Sequence, residues 1–140
     1  MTDLDLVADL IRREKSFIIA THIQPDGDGL GSVLGLGLWL RKIKKEVFMS
    51  WGEEIKVPPQ YAFLPGINLL CRPSLIPHPS SLNFIAIDCA SIERLGVLRS
   101  AAEKAQNFVN IDHHPGNTRY GKINLIDEKT SSSAELVYKL

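Results

Sequence analysis

The chain has 140 residues, 44% of them apolar, which suits one domain with a hydrophobic core and excludes a disordered chain. Sixteen basic residues balance sixteen acidic ones, so there is no general attraction to polyanions, and a nucleic acid or nucleotide would need a local site. The acidic, amphipathic N-terminus differs from a signal peptide, and the longest apolar-rich stretch, Leu30 to Leu40, is too short to cross a membrane.

The first half of the chain alternates helix-like and strand-like segments. Apolar residues at helical spacing predict an opening helix over residues 3–15, and the β-branched stretch SFIIAT after it predicts a buried strand. Leu30 to Lys44 is apolar and ends in cations, as suits a second helix, and EVFMSW predicts a second strand. Residues 52–82 hold six of the eight prolines, so we expect an irregular connection with short helical pieces.

The second half continues the alternation. NFIAID and NFVNID are strong strand candidates, and KINLID is a weaker one. Residues 92–105 are helical in composition, with Gly96 weakening the middle of the segment. SSSAELVYKL begins a last helix with a serine cap. The whole pattern predicts an α/β fold with an open, mainly parallel sheet flanked by helices.

Polar side chains follow three of the predicted strands at the point where each strand ends. FIIAT leads into His22, FIAI leads into Asp88, and FVNI leads into Asp112, His113 and His114. Ligands of open parallel sheets bind beyond the carboxyl ends of the strands, near the topological switch point. We therefore expect these distant residues to meet at one edge of the sheet and form a metal site there.

The turn in THIQPDGDGL carries two aspartates, Asp26 and Asp28, where a phosphate-binding loop would normally present free amides. It matches neither GxGxxG nor GxxxxGK[ST], and its carboxylates would repel a phosphate placed directly against them. A divalent cation between the acids and a phosphate removes that conflict.

The sequence indicates a metal site but does not identify a single metal. An EF-hand loop beginning at Asp26 would need a glutamate where Gly37 stands, and no HExxH motif occurs. Mixed imidazole and carboxylate ligands suit Mn²⁺, while Mg²⁺, zinc and iron stay open. Two ions roughly 3.5–4 Å apart are the usual arrangement for hydrolysing phosphate esters.

Three motifs together resemble the DHH phosphoesterase superfamily: HIQPDGDGLGS, AIDCAS and IDHHPGN, in the order and spacing of that family over residues 17–140. DHHPGN and SSSAELVY are most similar to the cytoplasmic branch that degrades very short RNA oligonucleotides and dephosphorylates 3′-phosphoadenosine 5′-phosphate. The resemblance implies two Mn²⁺ ions. It places His22 and Asp26 on the first ion, Asp28 and His113 on the second, and Asp88 on both.

The resemblance also implies the chemistry. His114 would contact the scissile phosphate, Asp112 would orient the histidine pair, and a metal-activated hydroxide would attack phosphorus. The substrate would be a short oligonucleotide or a nucleotide phosphate. Alternatives are a manganese-dependent pyrophosphatase or polyphosphatase, a cyclic-dinucleotide phosphodiesterase, or a metal-binding fragment without activity.

Two features of the family have no counterpart in the sequence. No segment matches its fourth motif, an aspartate that completes the shell of the second ion, and no glycine-rich C-terminal substrate-binding domain follows. We therefore expect residues 1–140 to be the N-terminal catalytic domain of a longer enzyme, with little turnover by themselves. A homodimer through an exposed edge of the sheet is compatible with the sequence.

Simpler roles compete for several of these residues. Taken singly, Asp26 or Asp28 is more often a helix cap than a ligand, and Ser131 to Ser133 are expected to cap the last helix. Asn117 and Arg119 follow the DHH triplet, and we expect solvated loop residues there, with contact to substrate as the alternative. The two cysteines form neither a disulfide framework nor a CxxC zinc motif, so we expect reduced thiols in a cytoplasmic protein, with Cys89 packed away from Asp88.

Overall fold

A computed structural model describes residues 1–140 as a five-stranded parallel sheet with helices on both faces. The predicted α/β class is therefore confirmed. The helices and strands follow one another along the chain as α1 (Asp3–Arg13), β1 (Ser16–Thr21), α2 (Gly27–Lys42), β2 (Glu46–Trp51), β3 (Asn83–Ile87), α3 (Arg99–Lys104), β4 (Asn107–Asp112), β5 (Ile123–Ile126) and α4 (Ser133–Lys139).

The order of the strands in the sheet is β2-β1-β3-β4-β5. The chain moves outward from β1 to β2, then returns to the other side of β1 with β3 and continues outward through β4 and β5. This reversal makes the gap between β1 and β3 the topological switch point, where α/β folds of this kind bind ligands at the carboxyl ends of the strands.

Both faces of the central strands are buried, which explains why they are continuously apolar. Along β1, Phe17 and Ile19 enter the larger core cluster, which α1, α2 and α4 cover. Ile18 and Ala20 point to the opposite face and enter the smaller cluster beneath α3. Alternate side chains therefore belong to different cores, as expected for a parallel sheet between two helical layers.

Two predicted helices differ from the structure at their boundaries. Helix α2 begins at Gly27, three residues before the predicted start, because Asp26 caps it by accepting a hydrogen bond from Gly29 N at 2.9 Å. The helix predicted over residues 92–105 is instead a 3₁₀ segment, Ile92–Leu98, followed by α3. Gly96 causes the break, because its φ of 54° and ψ of −130° are not helical.

The proline-rich connection is irregular, as predicted. Residues 52–82 contain four single-turn 3₁₀ helices and form one isolated β-bridge with the sheet, between Met49 and Leu70. The longest helix, α2, has 16 residues, and none of the helices has the length and hydrophobicity needed to traverse a bilayer.

Candidate metal centre

The three strands that carry the motifs end at the same level of the sheet. Ala20 of β1 lies opposite Ala86 of β3, and Ile87 of β3 lies opposite Ile111 of β4. Two residues after Ala20 comes His22, and one residue after Ile87 and Ile111 come Asp88 and Asp112. The register of the parallel ladder therefore brings an imidazole and two carboxylates to adjacent positions on one edge.

Asp88 lies between the histidines. Its Oδ2 is 3.7 Å from His22 Nε2, and its Oδ1 is 3.7 Å from His113 Nε2 and 3.8 Å from His114 Nδ1. The expected convergence of distant segments is therefore present in the structure.

One half of the centre, which we call the His22 side, consists of His22, Asp26 and Asp88. Asp26 Oδ2 lies 3.7 Å from His22 Nε2, and one ligand atom from each of the three residues can be chosen within 4.8 Å of the other two. His22 Nδ1 lies 2.6 Å from the carbonyl oxygen of Ile23, so this nitrogen carries the proton and donates it. The lone pair of Nε2 is left facing the two carboxylates, which is the tautomer that binds a metal ion.

The other half, which we call the His113 side, consists of Asp28, His113 and Asp88. His113 Nε2 lies 3.5 Å from Asp28 Oδ2 and 3.7 Å from Asp88 Oδ1. Asp28 is also bound to the start of α4, because its Oδ2 accepts from Ser133 N and its Oδ1 accepts from Ala134 N, both at 2.9 Å. Asp28 is therefore both a helix cap and a neighbour of His113, and the two roles do not exclude each other.

The spacing between the ligand atoms suits cations better than direct hydrogen bonds. The imidazole–carboxylate distances on both sides are 3.5–3.7 Å, which is beyond the usual hydrogen-bond range. Two ligand atoms that each lie about 2.0–2.2 Å from one ion are roughly 3.0–3.5 Å apart, so a small contraction around an ion would complete the His22 side.

Asp88 has a buried carboxylate oxygen that forms no hydrogen bond within the protein. Its Oδ2 is buried and accepts no hydrogen bond from the protein, whereas its Oδ1 accepts from Ser133 Oγ at 2.8 Å. Burial raises the pKa of Asp88, against the neighbouring imidazole of His22 and the hydrogen bond from Ser133, which lower it. Its φ of 61° is unusual for a residue other than glycine, and such backbone strain concentrates at functional sites. The residues present therefore fit a divalent cation.

His114 lies next to the two groups but is held differently. Its Nδ1 is 2.7 Å from Asp112 Oδ1, and Asp112 is fully buried. Although Asp88, His113 and His114 also lie close enough to hold one ion, that grouping would use the nitrogen through which His114 contacts Asp112. The contact with Asp112 therefore leaves His114 Nε2 available for another contact, and at 3.5 Å the carboxylate of Asp28 lies nearer to His113 Nε2 than that of Asp88 does.

Neighbouring groups shift the pKa values of two residues on the His22 side, His22 and Asp26. The neighbouring carboxylate of Asp88 raises the pKa of His22, although burial and the charge of Arg94 oppose it. Burial would raise the pKa of Asp26, but the hydrogen bond from Gly29 N and the charge of His22 outweigh it and hold that pKa below its ordinary value.

Sequence reasoning missed three residues at this edge. Ser132 is the cap of α4, whereas Ser133 is fully buried and contacts Asp88. The expectation that Asn117 is solvated is wrong, because its amide is partly buried and donates to Asp112 Oδ2 at 2.7 Å and to Asn110 Oδ1 at 2.8 Å. Arg94 places Nη2 3.1 Å from His22 Nδ1. The triple serine was the one feature of the sequence that could have indicated Ser133, and it predicted only the capping of α4.

The chain is similar to known proteins. The model of the DHH family, N-terminal domain, matches residues 16–140. Proteins named bifunctional oligoribonuclease and PAP phosphatase NrnA are similar to the chain: the one from Thermus thermophilus is 33% identical over 96% of this chain, and the one from Bacillus subtilis is 29% identical over 89%. The chain spans about two fifths of these relatives, with 39% and 37% of their lengths covered.

A solved structure shows the same fold. An exopolyphosphatase-related protein from Bacteroides fragilis superposes with a TM-score of 0.87 over 98% of this chain and 42% of its own, at 22% sequence identity. This likeness concerns the fold alone. The family match covers all three motifs that converge on Asp88, and the chain therefore belongs to the DHH family.

Proposed function

We propose that this chain is the metal-binding catalytic domain of a phosphoesterase that hydrolyses short oligoribonucleotides and 3′-phosphoadenosine 5′-phosphate. The observation that carries the proposal is the position of Asp88, whose carboxylate faces an imidazole–carboxylate pair on each side. The names of the similar proteins support the substrate class, since they are oligoribonucleases and PAP phosphatases.

His22, Asp26 and Asp88 would hold one ion, and Asp28, His113 and Asp88 the other. We favour Mn²⁺ because mixed nitrogen and oxygen ligands suit it. Bound ions would supply a nucleophile near neutral pH, by lowering the pKa of water, and would offset the charge of the phosphate.

The side chains around the ions have separate tasks. Asp112 accepts a hydrogen bond from His114 Nδ1 and fixes the orientation of the ring, so that the doubly protonated imidazole would donate from Nε2 to an oxygen of the scissile phosphate as negative charge develops there. Asn117 in turn fixes Asp112. The free thiols of Cys71 and Cys89 fit the cytoplasmic compartment that we propose for the protein.

A comparison of substrates tests the proposal. The chain would be incubated with Mn²⁺ and a ribodinucleotide, 3′-phosphoadenosine 5′-phosphate, a cyclic dinucleotide or pyrophosphate, with the Asp88→Asn variant as control. We expect turnover of the first two substrates, slow for this chain by itself, and none with the variant.

The other outcomes assign the alternatives. Faster release of phosphate from pyrophosphate would identify a pyrophosphatase, and preference for the cyclic dinucleotide would identify a cyclic-dinucleotide phosphodiesterase. Mn²⁺ binding without turnover of any substrate would identify a metal-binding domain without activity. A chain that binds no Mn²⁺ would contradict the proposal.

A further inference from the structure

Ser133 stands out because one small residue binds two carboxylates of the metal centre. Its hydroxyl lies 2.8 Å from Asp88 Oδ1, and its backbone N–H donates to Asp28 Oδ2 at 2.9 Å. The two acids come from different parts of the fold, since Asp28 lies in the first turn of α2 and Asp88 follows β3.

The burial of Ser133 indicates that its hydroxyl is held for this contact. The residue is fully buried, and a buried hydroxyl is costly unless it has a hydrogen-bond partner. Ser133 is the first residue of α4, and the capping of that helix is performed by Ser132, whose Oγ accepts from Glu135 N at 3.2 Å. Capping therefore does not account for the serine at position 133.

The contact also divides the two oxygens of Asp88 between different partners. Oδ1 is fixed by Ser133 on the His113 side, whereas Oδ2 faces His22 with no hydrogen bond from the protein. A carboxylate held through one oxygen cannot rotate freely, so its other oxygen stays directed at the His22 side. Groups that hold metal ligands in this way commonly change metal affinity by about 10–100-fold when they are removed.

We propose that Ser133 is a positioning residue of the metal centre, which sets the orientation of Asp88 relative to Asp28 and thereby links the start of α4 to metal binding. The inference rests on the proposed function only in taking these carboxylates as metal ligands. It adds a role for α4 that the three motifs do not contain.

The test compares Ser133→Ala with Ser132→Ala. The first variant removes the hydroxyl from Asp88 but keeps the backbone N–H on Asp28, and the second removes the cap of the same helix without touching Asp88. Dissociation constants for Mn²⁺ would be measured without substrate, from the electron paramagnetic resonance signal of the free ion, after circular dichroism has shown that both variants are folded.

We expect Ser133→Ala to weaken the binding of at least one ion about tenfold and Ser132→Ala to leave both constants within about twofold of the parent chain. Equal effects of the two variants would overturn the positioning role, because loss of the helix end would then explain both. Mn²⁺ binding by the parent chain separates the two proposals: if the parent binds no Mn²⁺, the proposed function fails, and if it binds and Ser133→Ala binds equally well, only this inference fails.

Discussion

The two sides of the metal centre are built from different kinds of contact. On the His22 side, His22 and Asp26 are four residues apart on one strand–turn–helix connection, and a single distant residue, Asp88, completes the group. On the His113 side, Asp28 and His113 come from different elements, and Asp28 is held by amides of α4 that lie 105 and 106 residues away in sequence.

This difference determines how each side depends on the rest of the fold. Local chain geometry and the cap of α2 position the His22 side, and the side chain of His22 is 7% exposed. The His113 side depends on the docking of α4, and the side chain of His113 is 23% exposed. Asp88 is the one residue that both sides share.

Replacing Asp88 should therefore have the largest effect. We expect Asp88→Asn to lower the affinity for Mn²⁺ at both sides by more than about 100-fold, because asparagine keeps the shape and tolerates the positive φ but loses the charge. Isothermal titration calorimetry would measure the loss. Asp127→Asn is the matched control, since Asp127 follows β5 but its Oδ1 accepts from Lys129 N in a local turn. Retention of both ions by Asp88→Asn would refute the shared role.

Single histidine variants should separate the two sides. We expect His22→Ala and His113→Ala each to reduce the stoichiometry from two Mn²⁺ ions to one, because each removes the only imidazole of its side. Mass spectrometry under native conditions would count the ions. A variant that still binds two ions would show that its histidine is not a ligand, and loss of both ions from either variant would show that the sides cannot fill independently.

Most of the His22 side could be predicted from the sequence because its signals are local. The apolar strand before His22, the paired acids of the turn and the apolar run after them all lie within one short segment. Once the α/β class is recognised, parallel strands are expected to end at one edge of the sheet. His22, Asp88 and Asp112 follow such strands, so their adjacent positions could also be predicted.

The contacts made by α4 could not be predicted in this way. Ser133 reaches Asp88 across 45 residues, and nothing near the triple serine indicates which of its hydroxyls turns inward. Gly96 was predicted to weaken its helix but not to break it, because composition reports helix propensity but not the close packing of Gly96 against the backbone of Gly52. In both cases tertiary contact overrode a local pattern.

A smaller effect is expected from pH in the metal-free protein. Asp88 raises the pKa of His22, so the folded state binds this proton more tightly than the unfolded state. The resulting stabilisation is fully present below the ordinary value of 6.5 and is lost as the pH rises through the higher folded value. We expect the urea midpoint to fall as the pH rises above 6.5, and His22→Gln to reduce that fall. His78→Gln, at an exposed position, should leave it unchanged; an equal reduction there would contradict the assignment to His22.

The smallest effect concerns Cys89, which follows Asp88 directly but packs into the smaller core cluster. Its Sγ donates to Ser91 O at 3.2 Å, and burial raises its pKa to about 11, so the reactive thiolate is scarce and enclosed. We expect a thiol reagent at about pH 8 to modify the partly exposed Cys71 and to spare Cys89 until the protein is unfolded in urea.

Protection of Cys89 in Asp88→Asn would show that the loss of metal binding in this variant comes from the carboxylate alone and not from a wider change in the fold. Rapid labelling of Cys89 in that variant would instead show that the end of β3 had opened, and the comparison of the two sides would then rest on the histidine variants alone.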